Sequence, residues 1–422
     1  MSKALEIYLL NEYVGRLTLD DKRKFVFRYE KAWLEHEQAV PLSLSLPLQK
    51  AAFEDDAARA FFANLLPESN LRKMISNQLH ISEGNDFAML EAVGGECAGA
   101  VSLLPEGTPW RGDGEYKALS DDALNQLVRE MPQKPMLVGE GDIRLSLAGA
   151  QNKLPVFFDK GVVSLTKGGV PSSHILKPPM EHFSNTVENE LFCMRLARSM
   201  GLNVPDVTLL QKEKPLYLIA RYDRTRNAEG ELVRLHQEDF CQALGVAADM
   251  KYEAEGGPSL QSCFQLIRDH SVNPIADVKA LLAWTIFNYL IGNADAHGKN
   301  ISIIFTQRGP QLAPFYDLLS TAIYPNLSSK NAMKIGGEYR PDWIAARHWE
   351  RLAEEIGVKT KMLYQTIRKM SEKIVVEAET LKETFVKEYG ENDGVNEVLK
   401  LIHRRAEKVR MNILPRSHAP AW

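Results

Sequence analysis

Gly292-Asn293-Ala294-Asp295-Ala296-His297-Gly298-Lys299-Asn300, followed by Phe315-Tyr316-Asp317, is the stretch that decides how this chain is read. It offers an acid, an amide five positions later, and a second acid beyond an expected hairpin. Phosphoryl transfer needs a base for the proton of the incoming hydroxyl, and an amide plus a carboxylate to hold the Mg²⁺ that bridges nucleotide phosphates. Asp295, Asn300 and Asp317 have the chemistry and spacing for those three tasks.

The flanking sequence places them. Asn273-Pro274 reads as an N-cap with Pro at the first helical position. Val278 to Ile291 is almost wholly apolar, as a buried helix requires, and Gly292 ends it. Asp295 then emerges on a short loop directly after a rigid element. Ile301 to Phe305 reads as a strand, Gln307 to Pro310 as a turn and Leu312 to Tyr316 as the return strand. Asn300 and Asp317 would stand at the two open ends of that hairpin. Either residue alone is ordinary turn chemistry. All three in order around a helix, loop and hairpin form a kinase-like motif.

At 422 residues the chain exceeds one ordinary core, so two or three domains are expected. A 45% hydrophobic, 25% charged composition is that of a globular, soluble protein, and a net charge of −4 argues against a dedicated nucleic-acid binder. Basic residues cluster late, at His403-Arg404-Arg405, Lys408 and Arg410, where a solvated helix face is the ordinary reading. Cys97, Cys193, Cys241 and Cys263 lie far apart without metal spacing, and buried reduced thiols of a cytosolic protein are expected. The N-terminus is too short and too polar for a signal peptide, and no run reaches the length of a membrane span. The expected localisation is cytoplasmic.

Three blocks follow along the chain: a β-rich subdomain over 1–104, a nucleotide-binding α/β part over 105–235 and a helical part over 236–422. In the first, Leu5, Ile7 and Leu9, Leu17 and Leu19, and Phe25 and Phe27 alternate as in a β-meander. Pro41-Leu42-Ser43-Leu44-Ser45-Leu46-Pro47 reads as a strand-like strip, and a helix is expected around Ala57 to Leu66. Pro105 to Tyr116 is the linker candidate. In the second, Leu154 to Phe158 and Val162 to Thr166 flank the hairpin signal Asp159-Lys160-Gly161. His174 to Lys177 and Leu216 to Ala220 are further strands. A helix capped by Thr186 runs to Met200, giving a small sheet with one packed helix. In the third, Gln237 to Leu244, Val278 to Ile291, Pro341 to Ile356, Thr360 to Lys387 and Asn396 to Asn412 have helical periodicity. The class is α+β, with a sheet-rich N-terminal lobe and an all-helical C-terminal lobe.

Nucleotide-binding candidates sit in the sheet-rich half. Ala148, Gly149 and Ala150, with Gln151, Asn152 and Lys153, offer small residues that let backbone N–H groups approach phosphates. Lys177 ends its strand shortly before a helix carrying Glu188 and Glu190, as in the lysine–glutamate pair of protein kinases; Glu190 is the partner read for it. Leu216 to Ala220 leads into Arg221-Tyr222-Asp223, an expected hinge for adenine.

Together these residues resemble the HipA family of bacterial serine/threonine kinase toxins over essentially the whole chain. The resemblance rests on Pro41 to Leu48, Asn64-Leu65-Leu66-Pro67, Ser146 to Lys153, His174-Ile175-Leu176-Lys177 and Gln237-Glu238-Asp239. Gly256-Gly257-Pro258, Asp295 to Asn300 and Phe315-Tyr316-Asp317 complete it. It implies a two-lobed protein-kinase-like (PI3/4-kinase-like) fold with Asp295 as catalytic acid/base. It implies ATP and Mg²⁺ surrounded by Ala148 to Lys153, Lys177, the hinge Ala220, Arg221 and Tyr222, Gln237, His297, Gly298, Lys299, Asn300, Tyr316 and Asp317, with Asn300 and Asp317 on the metal. It implies phosphorylation of glutamyl-tRNA synthetase or a related translation component, growth arrest and persistence. It further implies a HipB-like helix-turn-helix antitoxin, DNA contact mainly through that complex, and autophosphorylation at Ser146. Two other readings fit parts of the pattern. A small-molecule kinase shares the Asp-x₄-Asn spacing, and a catalytically idle corepressor would use the C-terminal basic cluster.

Overall fold

Alternation of apolar side chains builds the first sheet. The computed structural model describes residues 4–108, 110, 112, 114–134, 136, 146–149 and 151–414. Ala150, with Arg144 and Leu145, lies outside them. Strands β1 (Ala4–Leu9), β2 (Glu12–Leu19), β3 (Phe25–Tyr29) and β4 (Val101–Pro105) pair antiparallel in the order β3-β2-β1-β4. Leu5, Ile7 and Leu9 are wholly buried on one face, as the period of two requires. Helices α1 (Asp55–Phe62), α2 (Ser69–Gln78) and α3 (Asp86–Val93) belong to the same subdomain, and Phe61, Leu71 and Phe87 share its core.

Pro41 to Pro47 forms no strand. It folds as a turn in which Ser43 bridges to Leu46. Leu42 and Leu46 enter the core, while the Tyr29 hydroxyl donates to Leu46 O at 2.6 Å and accepts from Leu42 N at 2.7 Å. The serines between them turn to polar partners: Ser43 Oγ meets Glu238, Leu44 N donates to Glu238 Oε1 at 2.9 Å, and Ser45 Oγ donates to Gln242 O at 2.7 Å. The alternation that suggested a strand is a turn with two apolar feet.

A second sheet has the order β5-β7-β6-β8-β10-β9. Its strands are β5 (Glu115–Ala118), β6 (Leu154–Asp159), β7 (Val162–Lys167), β8 (His174–Lys177), β9 (Val207–Gln211) and β10 (Pro215–Ala220). The helix packed on it is α4 (Asp121–Glu130), whose Leu124 and Val128 share a core with Leu154, Val156, Leu176, Leu216 and Leu218. The expected one, α5 (Thr186–Ser199), groups elsewhere. Asn185, not Thr186, holds its N-cap position, in the left-handed region and without a side-chain cap bond. A two-stranded ribbon, β11 (Arg224–Arg226) with β12 (Leu232–Arg234), follows the second sheet. A three-stranded sheet, β13 (Gln237–Asp239), β14 (Ser302–Thr306) and β15 (Gly309–Leu312), comes next. The expected helix over Gln237 to Leu244 is therefore strand and then one helical turn, because Asp239 caps Phe240–Ala243 through a reciprocal bond with Gln242.

The chain folds into two interleaved compact units. The first comprises residues 1–180, 208–251 and 302–313, and the second 181–207, 252–301 and 314–422. Every regular element described wholly within the second unit is helical. Helix α6 (Leu260–His270) was not expected, although Ser259 caps it with a Ser259–Ser262 capping box. Helix α7 (Pro274–Ile291) lies at the centre, against α6, α9 (Thr360–Tyr389) and α10 (Asp393–Lys408); α8 (Ala346–Glu355) joins α9. Helix α7 is in fact long and apolar enough to cross a membrane by composition. Its partners explain that character, since a helix enclosed by others is apolar all round. The expected Pro341 to Ile356 helix breaks into a 3₁₀ turn, Pro341–Trp343, and α8. All four cysteines are buried and none forms a disulfide. The late basic cluster is no single face: Arg405 is buried, Lys408 donates to Pro341 O, and His403 pairs with Glu379.

Glu238 yields a prediction about pH. Burial pushes its carboxyl up to about 8 from an ordinary 4.5, against the opposing pull of the Ser43 and Leu44 donors. The folded protein then holds a proton that the unfolded chain releases above 4.5. This contribution to stability is complete below the unfolded value and is lost as pH rises through the folded one. Glu238→Gln keeps a neutral side chain throughout. Its thermal midpoint is expected to gain on that of the wild type between about pH 5 and about pH 9. Parallel curves would show that Glu238 does not titrate there.

Candidate active site

The loop that carries Asp295 is built largely from its own backbone. Gly292 ends α7 at φ +71, and a Cβ there would stand 2.4 Å from Leu401 Cδ2 and 3.0 Å from the Ala322 Cβ. Only glycine meets both the left-handed turn and that close approach. Asn293 N then donates to Asn288 O at 2.9 Å, and Ala294 N to Thr321 Oγ1 at 2.7 Å. Asp295 N donates to the Asn293 side chain at 3.1 Å, an Asx turn that lifts the next carboxylate outward. His297 N returns to Asp295 O at 2.9 Å, and a 3₁₀ turn runs from Gly298 to Asn300.

Asp295 is the exposed member of this loop. Its side chain is 45% accessible, whereas His297, Lys299 and Asn300 are buried. Tyr252 Oη donates to Asp295 Oδ1 at 2.6 Å, and His297 Nε2 stands 3.9 Å from Asp295 Oδ2. The Tyr252 and His297 rings meet edge to face at 5.4 Å. The carboxylate is thus held at Oδ1 by Tyr252 while its side chain stays 45% accessible, and a base that receives a proton needs such access. Tyr252 was missed in the sequence. The signal next to it, Gly256-Gly257-Pro258, marks a turn, and Gly257 N does donate to Tyr252 O at 2.9 Å.

Asn300 Nδ2 donates to Asp295 O at 3.0 Å, which leaves Oδ1 as the amide atom suited to a metal. Asp317 sits in the left-handed region at φ +58, unusual for a residue other than glycine. The expected hairpin exists, but its return strand runs from Gly309 to Leu312 instead of from Leu312 to Tyr316, so it ends four residues early and 313–316 form no strand. The hairpin belongs to the first unit, while Asn300 and Asp317 belong to the second. Other contacts tie their two segments together. Tyr316 Oη donates to Lys299 O at 2.6 Å, Ala322 N to Gly292 O at 3.0 Å, and Phe315 stacks on Trp284 at 6.0 Å. One amide oxygen and one carboxylate fit Mg²⁺, which usually takes one or two protein carboxylates and completes its shell with phosphates and water.

The first unit carries the other expected nucleotide residues. Lys177 ends β8, buried over the Tyr217 ring at 5.7 Å. Tyr222 Oη donates to Gln237 Oε1 at 2.6 Å, so two of the expected residues meet. Lys153 Nζ donates to Ala148 O, Gln151 Nε2 donates to Pro178 O at 3.3 Å, and Gly149 O accepts from Glu68 N at 3.2 Å. Ala220 ends β10 opposite His174. Arg221 is otherwise engaged. Its N–H donates to Ser173 O, and its guanidinium lies buried between Asp223, at 2.7 Å, and Glu96, at 3.2 Å. Both of these groups are thus engaged within the first unit, and the hinge expectation for Ala220, Arg221 and Tyr222 falls on the remaining backbone groups. Ser146 is wholly buried, its Oγ donating to Leu65 O at 2.7 Å and its N to Glu96 O at 2.9 Å.

Comparison with known proteins agrees with this layout. Residues 5–104 match the model of the HipA N-terminal domain and residues 145–378 that of the HipA-like C-terminal domain. A Sinorhizobium fredii protein named as a candidate kinase, Y4mE, is 40% identical over 97% of this chain and 99% of its own. The serine/threonine-protein kinase toxin HipA of Shewanella oneidensis is 32% identical over 88% of this chain and 87% of its own. The structure of Shewanella oneidensis HipA with HipB and operator DNA superposes with a TM-score of 0.83 at 29% identity, covering 96% of this chain and 97% of that one. The chain belongs to the HipA family of serine/threonine-protein kinase toxins.

Proposed function

We propose that this chain transfers the γ-phosphate of Mg²⁺-ATP to a serine or threonine of a translation component such as glutamyl-tRNA synthetase. Growth slows and persistence follows, and a HipB-like helix-turn-helix antitoxin restrains the activity. The observation that carries the chemistry is Asp295: a half-exposed carboxylate, held by Tyr252 at one oxygen and anchored through its carbonyl by Asn300. Kinship with a HipA bound to HipB and operator DNA supports the antitoxin and a cytoplasmic site of action, with DNA reached through that complex. The scattered basic cluster gives little support to direct DNA binding by this chain.

Asp295 Oδ2 takes the proton of the acceptor hydroxyl as its oxygen bonds to the γ-phosphorus. The bond from that phosphorus to the β–γ bridging oxygen breaks, and ADP leaves with the electron pair. Asn300 and Asp317 would hold the Mg²⁺, which neutralises charge on the phosphate oxygens. Lys177 adds positive charge for the nucleotide, and Ala148 to Lys153 supply backbone donors. Ser146 is a proposed site of self-phosphorylation. Buried as it is, it must leave the Leu65 and Glu96 carbonyls before any kinase can reach it, and a phosphate of charge about −1.5 to −2 would then bar its return.

Three outcomes are expected. Asp295→Asn should fold and bind ATP but lose roughly 10²–10⁴-fold in phosphoryl transfer, measured with labelled ATP and cell lysate; near-normal turnover would remove Asp295 from the role. Asp317→Ala should weaken Mg²⁺-dependent ATP binding more than Asn300→Ala, because a hard cation prefers the charged oxygen. Titration calorimetry with and without Mg²⁺ checks this, and metal-independent ATP affinity in the wild type would count against both. Ser146→Ala should abolish self-modification and Ser146→Asp should bind ATP poorly. Mass spectrometry that finds full phosphorylation of Ser146 in a preparation of undiminished activity would overturn the switch.

A further inference from the structure

A cavity of about 520 Å³ opens beside the catalytic base, entirely within the second unit. Tyr252, Ala294, Leu327, Ala332 and Tyr339 line it with Asp295. Ala254 adds to this apolar and aromatic part, Glu255, Thr321, Ser328, Lys330 and Asn331 make up the polar remainder, and the same tyrosine that holds Asp295 Oδ1 forms one wall. The walls are tied to one another. Glu253 N donates to Ala332 O at 3.2 Å, Lys334 N donates to Glu253 Oε2 at 2.6 Å, and Asn331 N donates to Tyr339 O at 2.9 Å. Leu327 is 39% exposed, an apolar side chain left to solvent at the cavity's edge.

The space lies in the range of sites that enclose whole small ligands, far more than the CH₂OH group of a serine needs. Resting on the kinase reading, we propose that this cavity is the acceptor subsite, and that it selects an extended protein segment with a large apolar side chain two residues from the reacting serine or threonine. The base faces the space, so the reacting hydroxyl must enter it. In an extended chain residues i and i±2 share one face about 7 Å apart, so a second side chain on that face enters beside the first. The apolar part of the wall, Ala294, Leu327, Ala332 and an aromatic ring, then favours Leu, Met, Ile or Phe there. Covering Leu327 removes exposed apolar surface from water, which is the driving force for that choice.

The test maps phosphosites after full-length protein, Mg²⁺ and a transferable γ-phosphate analogue of ATP are added to cell lysate, with Asp295→Asn as blank. Synthetic peptides spanning the mapped sites then give kcat/KM for the wild type, Leu327→Asp and Leu327→Met. We expect apolar residues enriched at i±2. We expect about a ten-fold loss of kcat/KM for Leu327→Asp at unchanged ATP affinity, in line with the cost of a mismatched group in an apolar pocket, and near-complete retention in Leu327→Met. Phosphosites without that enrichment, or Leu327→Asp indistinguishable from wild type, overturn the subsite and leave the kinase standing. Labelling no greater than the blank overturns the kinase reading itself, and the subsite with it.

Discussion

Two buried carboxylates and two buried guanidiniums hold the first unit in register. Glu96 Oε1 accepts from Arg221 at 3.2 Å, Arg224 at 3.0 Å and Ser172 Oγ at 2.8 Å. Asp223 Oδ2 accepts from Arg221 at 2.7 Å and from Gly99 N at 2.7 Å. Burial alone would push Glu96 up. The guanidiniums of Arg234, Arg221 and Arg224 overcome it and hold the carboxyl down at about 2. Arg224, itself desolvated and beside Arg221, is lowered to about 10. Replacing such a knot with apolar residues could be neutral, but removing one member strands a charge at a cost of about 3–5 kcal/mol. The knot joins the loop after α3 to the segments after β7 and β10. Glu96 serves twice: its side chain closes the knot and its carbonyl holds Ser146 N. The chain's proposed phosphorylation site is therefore hung on a residue that is itself tied to Ser172, Arg221 and Arg224.

The second unit solves its positioning problem with neutral groups. In the loop from Gly292 to Asn300, the N–H groups of Asn293, Ala294, Asp295, His297 and Asn300 donate to Asn288 O, Thr321 Oγ1, Asn293 Oδ1, Asp295 O and His297 O. A site on such a loop stays within hydrogen-bonding tolerance only if its neighbours are fixed. Helix α7, enclosed on several sides, supplies that fixity from below, and Tyr252 supplies it from above. The bond from Tyr252 to Asp295 makes the base's orientation a property of two separate segments.

Much of this was legible in the residues. The loop that carries Asp295 and Asn300 could be placed because the apolar run from Val278 to Gly292 announces the helix before it. Strand β8 was readable to the residue, since His174 to Lys177 stands between turn signals. Three things were not. Tyr252 acts through tertiary contact, which leaves no periodic trace. The Pro41 to Pro47 strip alternates like a strand, yet its serines point to Glu238 and Gln242 rather than to water, so a period of two was met by a turn. For Arg221, at the end of a strand, nothing local reveals that its guanidinium is buried against Glu96, far away in sequence. Helix α5 illustrates the same limit: its existence was plain, but which core it joins is decided by α9 and α10.

The interleaving of the two units has a consequence for synthesis. The chain passes from one unit to the other after residues 180, 207, 251, 301 and 313. Neither unit is a contiguous piece, and the first lacks its last two strands until Leu312 has left the ribosome. Domains emerging from the ribosome usually fold as N-terminal units at about 5–20 residues per second. Here the β14–β15 hairpin that completes the first unit comes after Asp295 in order of translation. A chain that stops anywhere before that hairpin therefore lacks part of both units, so neither can close before most of the sequence has been made.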